Sequence, residues 1–198
     1  GQTIACDQLI LAIGHSARDT FSMLLKREVP IISKAFSVGV RIEHAQSVID
    51  QGLYGKFAGH PALDKGEYQL SYREGDRGVY TFCMCPGGFV VPSSSEPETV
   101  VTNGMSEYAR NGKNANAALV VSVDGSDFGW KPQDGIAFQK NLEKAAFLAG
   151  GRSYTAPGQT AKSFLENKAP AMPDRLEPTY ALGVCPYHLN KLFPEAIN

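Results

Sequence analysis

Between residues 36 and 43 apolar and polar side chains alternate without a break, Phe36, Val38, Val40 and Ile42 against Ser37, Gly39, Arg41 and Glu43. A period of two sends successive side chains to opposite faces of an extended chain, so this stretch reads as a half-buried β-strand. The pattern returns at Tyr68, Leu70 and Tyr72, after which Gly75-Asp76-Arg77-Gly78 turns the chain into a strand from Val79 to Cys85. Those two segments are expected to form a hairpin. Short apolar stretches at Phe89 to Val91, Val100 to Thr102 and Leu119 to Val123, separated by Gly, Pro, Ser and Asn, extend the antiparallel sheet.

Helical spacing comes later in the chain. Pro132 and Asp134 open a segment in which Phe138, Leu142, Ala145 and Ala149 form one stripe, and Gly150-Gly151 closes it. Shorter helices are expected around Gln159 to Glu166 and Tyr187 to Leu192. Pro157, Pro170, Pro173 and Pro178 punctuate a tail expected to run over the surface. The fold class that follows is α+β, with a mostly antiparallel sheet, open or barrel-like, and packed helices.

The first residues carry a different signal. Leu9 to Ile13 is apolar without alternation and is followed by Gly14, which reads as a strand buried on both faces, as in a parallel sheet. Ser16 is placed to cap a following helix, with Asp19 three residues on, and Phe21, Leu24 and Leu25 make its apolar face before Pro30. Strand, glycine turn and helix make a short piece of an α/β domain. Gly14-His15-Ser16 begins the G-x-S-x-G elbow of a serine hydrolase, but Arg18 stands where the last glycine belongs and its bulk disfavours the tight approach of helix and strand. The chain holds neither G-x-G-x-x-G nor G-x-x-x-x-G-K-[ST], the loops that cradle a pyrophosphate or a nucleotide triphosphate.

Charge and composition narrow the function classes. Lys and Arg total 19 against 20 for Asp and Glu, with no like-charge run, so the clustered basic footprint of a nucleic-acid binder is missing. The longest strictly apolar run, Leu9 to Ile13, falls far short of the about 20 residues of a membrane-spanning helix. No basic leader precedes it, and Cys6, Cys83, Cys85 and Cys185 do not make a disulfide framework, so a cytoplasmic setting is expected.

Metal chemistry has little support. His15, His44, His60 and His188 lack ligand spacing, and Cys83-Met84-Cys85 has no second cysteine pair to complete a zinc site. On a regular strand its two thiols share a face with Cα atoms about 6.6–6.8 Å apart, which is expected to keep them unbonded. Arg41 and Glu43 either anchor an anionic ligand or form a solvated ion pair. Asn103, Asn114 and Asn116 offer amides that both donate and accept, although Asn103-Gly104 is also a turn signal. Pro86-Gly87-Gly88 permits close backbone approach to a planar ligand, or is an ordinary tight turn.

Several segments together carry more information than any one of them. Asp7 to Thr20, Phe36 to His44, Val79 to Gly88, Val101 to Ser106 and Asn114 to Val121 resemble blocks of a family of uncharacterised NAD(FAD)-utilising, FAD-dependent dehydrogenases. The resemblance implies the middle portion of a larger flavin-dependent oxidoreductase. Residues 1–27 would be a fragment of the FAD-binding domain, 28–178 an inserted α+β substrate or cap domain, and 179–198 a return segment. The intact protein would hold FAD, with NAD(P) as a candidate electron donor, and the first dinucleotide-binding motif would lie upstream. Gly14, His15 and Ser16 would face the cofactor, while Arg41, Cys83, Cys85, Asn103 and Asn116 would face a small-molecule substrate. The partners implied are the missing upstream and downstream FAD-domain segments, and this chain alone is expected to hold no flavin. A non-catalytic binding or scaffold module of the same ancestry is the alternative. No residue is assigned a catalytic role.

Overall fold

A computed structural model of the chain describes residues 2–197. They divide into two compact units between Ile32 and Ser33.

The first unit holds one helix, α1 (Arg18–Lys26). The strand expected at Leu9 to Ile13 does not form, and its side chains lie open, Ile10 being 90% exposed. A strand buried on both faces exists only when neighbours hydrogen-bond to both its edges, and no described segment pairs with this one. Gly14 lies in the left-handed region at φ 70°, at the expected glycine turn. The cap differs from expectation, because the helix is preceded by Ala17 and no side chain caps it. The Asp19 carboxylate accepts instead from the Thr20 N–H at 2.8 Å. Past Arg27 the chain leaves the helix through Glu28 at φ 58°, just ahead of Pro30.

The second unit is α+β and its sheets are open. Four antiparallel strands lie in the order β1-β6-β3-β2, with β1 at Phe36–Ala45, β2 at Ser71–Glu74, β3 at Arg77–Cys85 and β6 at Asn114–Val123. Strand β6 pairs with β1 along its whole length and is the inner partner of β3, so Ala115 and Ala117 are fully buried. Gly39 is required within β1, since a Cβ there would collide with the Leu119 carbonyl of β6. The β2–β3 hairpin turns on Gly75, at φ 56°, and Asp76, as its Glu74–Arg77 closing pair dictates.

A second antiparallel pair, β4 (Gly88–Pro92) with β5 (Thr102–Ser106), lies against the first sheet. Asn103-Gly104 is therefore strand rather than turn, its backbone committed to the β4 ladder. Helix α2 (Gln46–Tyr54) was not legible, because it buries polar residues instead of an apolar stripe. The Gln46 amide donates to Asp50 Oδ1 at 2.7 Å and to the Gly66 carbonyl at 3.1 Å, while its oxygen accepts from the Gly87 N–H at 2.7 Å. Those bonds satisfy groups that would be costly to bury unpaired.

After β6, Asp124 caps the short helix α3 (Gly125–Phe128) by accepting from the Ser126 N–H at 2.8 Å, while the Asp127 carboxylate accepts from the Asp124 N–H at 3.0 Å. Arg77 of β3 grips the Asp127 carboxylate with two bonds, at 2.8 and 3.2 Å, and the Ser122 carbonyl at 2.9 Å. Helix α4 (Pro132–Ala149) begins at proline with Asp134 accepting from the Lys131 N–H at 3.0 Å, and it ends at Gly150. Its N-terminal half packs Phe138 near Phe36 and Phe128. Its C-terminal half supplies Phe147 to a core with Val90, Val100, Ala156 and Tyr180. The remaining strands and α-helix are β7 (Ala156–Gly158), α5 (Ala161–Leu165) and β8 (Val184–Pro186), with β7 and β8 paired in parallel. Only a single 3-10 turn, Leu189–Lys191, forms where a helix was expected from Tyr187 to Leu192. No described helix is long and apolar enough to cross a membrane.

Candidate functional site

The odd-numbered positions of β1 put Arg41 and Glu43 on the same face as Asn114 and Asn116 of β6. In a solvated sheet these two charges would pair with each other or with water. Here the face is covered instead by the β4–β5 pair and by the segment around Thr179, and each charge finds separate partners.

Arg41 reaches across β6. Its guanidinium donates to the Asn116 side-chain oxygen at 2.6 Å, the Cys83 carbonyl at 2.9 Å and the Asn103 side-chain oxygen at 3.0 Å, with Cys85 Sγ at 3.8 Å. Strands β1, β3, β5 and β6 thus bring Arg41, Cys83, Cys85, Asn103 and Asn116 into one cluster. Every acceptor in it is neutral. Asn116 is fully buried, and because its oxygen faces a guanidinium its amide orientation is fixed. Its Nδ2 has no partner among the described residues, although a buried donor ordinarily finds one. Gly104 lies against the same cluster, where a Cβ would strike both the Arg41 guanidinium and the Asn116 oxygen.

Glu43 is held apart from Arg41. Its carboxylate accepts from Asn114 Nδ2 at 2.9 Å, from the Thr179 N–H at 3.1 and 3.2 Å, and from the Thr179 hydroxyl at 2.5 Å. Asn114 also donates to the Glu177 carbonyl, so Glu43 and Asn114 fasten the incoming chain to the sheet. They hold the fold together beside the site, whereas Arg41 and Asn116 shape it.

The Cys83-Met84-Cys85 segment departs from the expected regular strand. The β3–β6 register shifts between Phe82 and Cys85, and Cys83 sits at φ 47°, in the left-handed region. The two thiols are unbonded, as expected, but not for the expected reason, because the bulge brings their sulfurs to 4.0 Å where a regular strand would have held them farther apart. Cys83 is exposed and Cys85 buried. Burial pushes the Cys85 thiol above its ordinary value and the neighbouring Cys83 adds to this, while Arg41 opposes both. Among the described residues no group of three His, Cys, Asp or Glu side chains is placed to hold a metal.

Two further features escaped the sequence reading. An open cleft of about 800 Å³ is lined by Lys65, Glu67, Met84, Ser106, Tyr108 and Arg110, among others, so Met84 faces it between the two cysteines. On the other face of β1, His44 Nε2 bonds the Tyr68 hydroxyl at 2.7 Å. Desolvation by burial lowers the His44 pKa, and no apolar period or spacing in the sequence points to that environment.

Gly14, His15 and Ser16 belong to the first unit, where they form an exposed turn. Ser16 Oγ lies 3.4 Å from Nε2 of adjacent His15, a contact between sequence neighbours in solvent. The strand that would set a hydrolase elbow is absent from the described residues.

Comparison with known proteins places this geometry in a family. A protein of Clostridium beijerinckii, described as uncharacterized, is 44% identical over 200 residues, covering all of this chain but 38% of its own length. The chain thus spans well under half of that relative. Residues 35–198 match the model of FAD-dependent protein, C-terminal domain-like, a range that begins just before β1 and takes in the whole Arg41 cluster. This chain therefore belongs to the family of FAD-dependent proteins, through their C-terminal domain-like region.

Proposed function

We propose that this chain is part of a flavin-dependent oxidoreductase in which residues from about Glu28 to Pro178 form an inserted domain that covers the flavin and shapes the substrate pocket. The observation that carries the reading is the Arg41 cluster. A guanidinium surrounded only by neutral acceptors keeps its charge available to an anionic group, and Asn116 beside it holds a buried donor in reserve. These donors suit an anionic substrate, a nicotinamide phosphate or the carbonyl-bearing edge of an isoalloxazine. The described residues offer no glycine-rich helix terminus for the pyrophosphate, so that end of FAD is assigned to segments beyond this chain. The exposed apolar run from Leu9 to Ile13 supports the same division, since it has the character of a sheet strand and lacks its neighbours.

FAD, when bound, supplies the two-electron chemistry. The chain's own residues orient and exclude. Arg41 and Asn116 position the ligand's polar groups, and β4–β5 shields them from water. Gly14, His15 and Ser16 are proposed as the cofactor-side turn.

The test uses the full-length protein loaded with FAD. Arg41→Ala is expected to leave FAD content unchanged and to raise the Kd or KM for an anionic substrate or NADPH by roughly ten- to a hundredfold, the worth of a charge-assisted bond. Unchanged kinetics together with lowered thermal stability would make Arg41 a structural residue and remove it from the site.

A further inference from the structure

We infer that Cys83 and Cys85 are a redox pair which exchanges with a small-molecule disulfide, Cys83 attacking and Cys85 resolving. The inference stands on the thiol geometry and does not depend on the flavin reading. Three observations meet here. The sulfurs lie 4.0 Å apart, whereas a disulfide spans about 2.05 Å, so the remaining gap is within reach of side-chain rotation. The bulge that brings them together holds Cys83 at φ 47°, a conformation that costs a residue with a Cβ and that regular pairing with β6 would have avoided. One thiol is exposed and its partner buried beneath it, the division of labour an exchange reaction requires.

Arg41 completes the arrangement. Its guanidinium bonds the Cys83 carbonyl at 2.9 Å, which fixes the bulge, and lies 3.8 Å from Cys85 Sγ, where it stabilises negative charge on that sulfur. At rest Cys85 stays a thiol, because burial raises its pKa, and this leaves the exposed Cys83 as the group that meets a disulfide first.

Cys83, as thiolate, attacks one sulfur of RS–SR, forming the mixed disulfide Cys83–S–SR and releasing RS⁻. Cys85 then loses its proton and attacks Cys83 Sγ, forming the Cys83–Cys85 bond and releasing the second RS⁻. The two protons given up by the pair end on the two RSH products. The pair is oxidised by two electrons and the small disulfide is reduced by two.

The experiment treats the folded chain with glutathione disulfide and maps each cysteine peptide by mass spectrometry. Peptides carrying Cys83 and Cys85 together are expected to lose two hydrogens, while Cys6, exposed in the first unit and without a cysteine nearby in sequence, retains a glutathione adduct. In Cys85→Ser the adduct should persist on Cys83. In Cys83→Ser modification of Cys85 should be slower than that of Cys83 by about tenfold or more, as burial and a raised pKa require. A persistent adduct on Cys83 of the unaltered chain, or no modification of Cys83 under conditions that modify Cys6, overturns the inference. Both readouts use the unaltered chain, so they hold even if a variant fails to fold.

Discussion

Arg41 and Asn116 are joined by a 2.6 Å hydrogen bond although they are not opposite each other in register, since Asn116 faces Glu43 and Arg41 faces Ala118. The diagonal reach crosses one strand pairing and leaves Glu43 to bind Thr179. Two neighbouring charges on one strand are thereby assigned to different tasks.

Asn116→Ala should destabilise the chain by about 1–3 kcal/mol, because the half-buried Arg41 loses an acceptor. Asn116→Asp keeps the oxygen and should retain most of the stability, while neutralising the charge proposed to attract an anion. Urea unfolding of both variants checks this, and equal losses would mean that the amide donor, not the oxygen, supports the fold.

Gly104→Ala should lower thermal stability, because the added methyl meets both the Arg41 guanidinium and the Asn116 oxygen. Overpacking of this kind costs about 1–3 kcal/mol. An unchanged Tm would show that β5 can withdraw from the cluster without loss.

How much of this was legible varies with how local the cause is. The alternation from Phe36 to Glu43 became β1, and the proline, aspartate and glycine-pair signals bounded α4, since caps and periodicity act within a few residues. Strand β6 was expected only from Leu119, because Asn114-Ala115-Asn116-Ala117 has polar and small residues whose burial is imposed by strands on both sides. Arg41, Asn103, Asn116 and the cysteines each stand out in the sequence by their chemistry. Their convergence was not visible, because it depends on the strand order β1-β6-β3 and on a bulge at Cys83. The three-residue parallel pairing of β7 and β8 carries no period at all.

Acid should weaken the β3–α3 junction. The Arg77 bonds hold the Asp127 carboxyl below its usual 3.8, against an opposing effect of burial. A depressed folded value means that the stabilisation is complete above 3.8 and is lost as pH falls through the folded value. Asp127→Asn should therefore be less stable than the native chain at neutral pH, with the gap closing towards strong acid. Chemical unfolding across that range measures it, and a constant gap would contradict the assignment.

A second, milder acid step should come from His44. Burial holds its pKa below 6.5, against the opposing effects of a bond to its own backbone and of the Glu43 charge, so neutral imidazole is favoured in the fold. The unfolded chain takes up the proton first, so stability should begin to fall as pH drops below 6.5. His44→Gln should flatten this part of the profile, and an identical slope in the variant would place the titration elsewhere.

The flavin assignment is tested most directly by visible absorption, comparing the full-length protein with the 198-residue chain incubated with FAD and then desalted. The full-length protein should show an oxidised flavin spectrum and release FAD on denaturation, while the chain alone should be colourless, as the missing pyrophosphate loop requires. A full-length protein without flavin, or stoichiometric FAD retained by the chain alone, would contradict it.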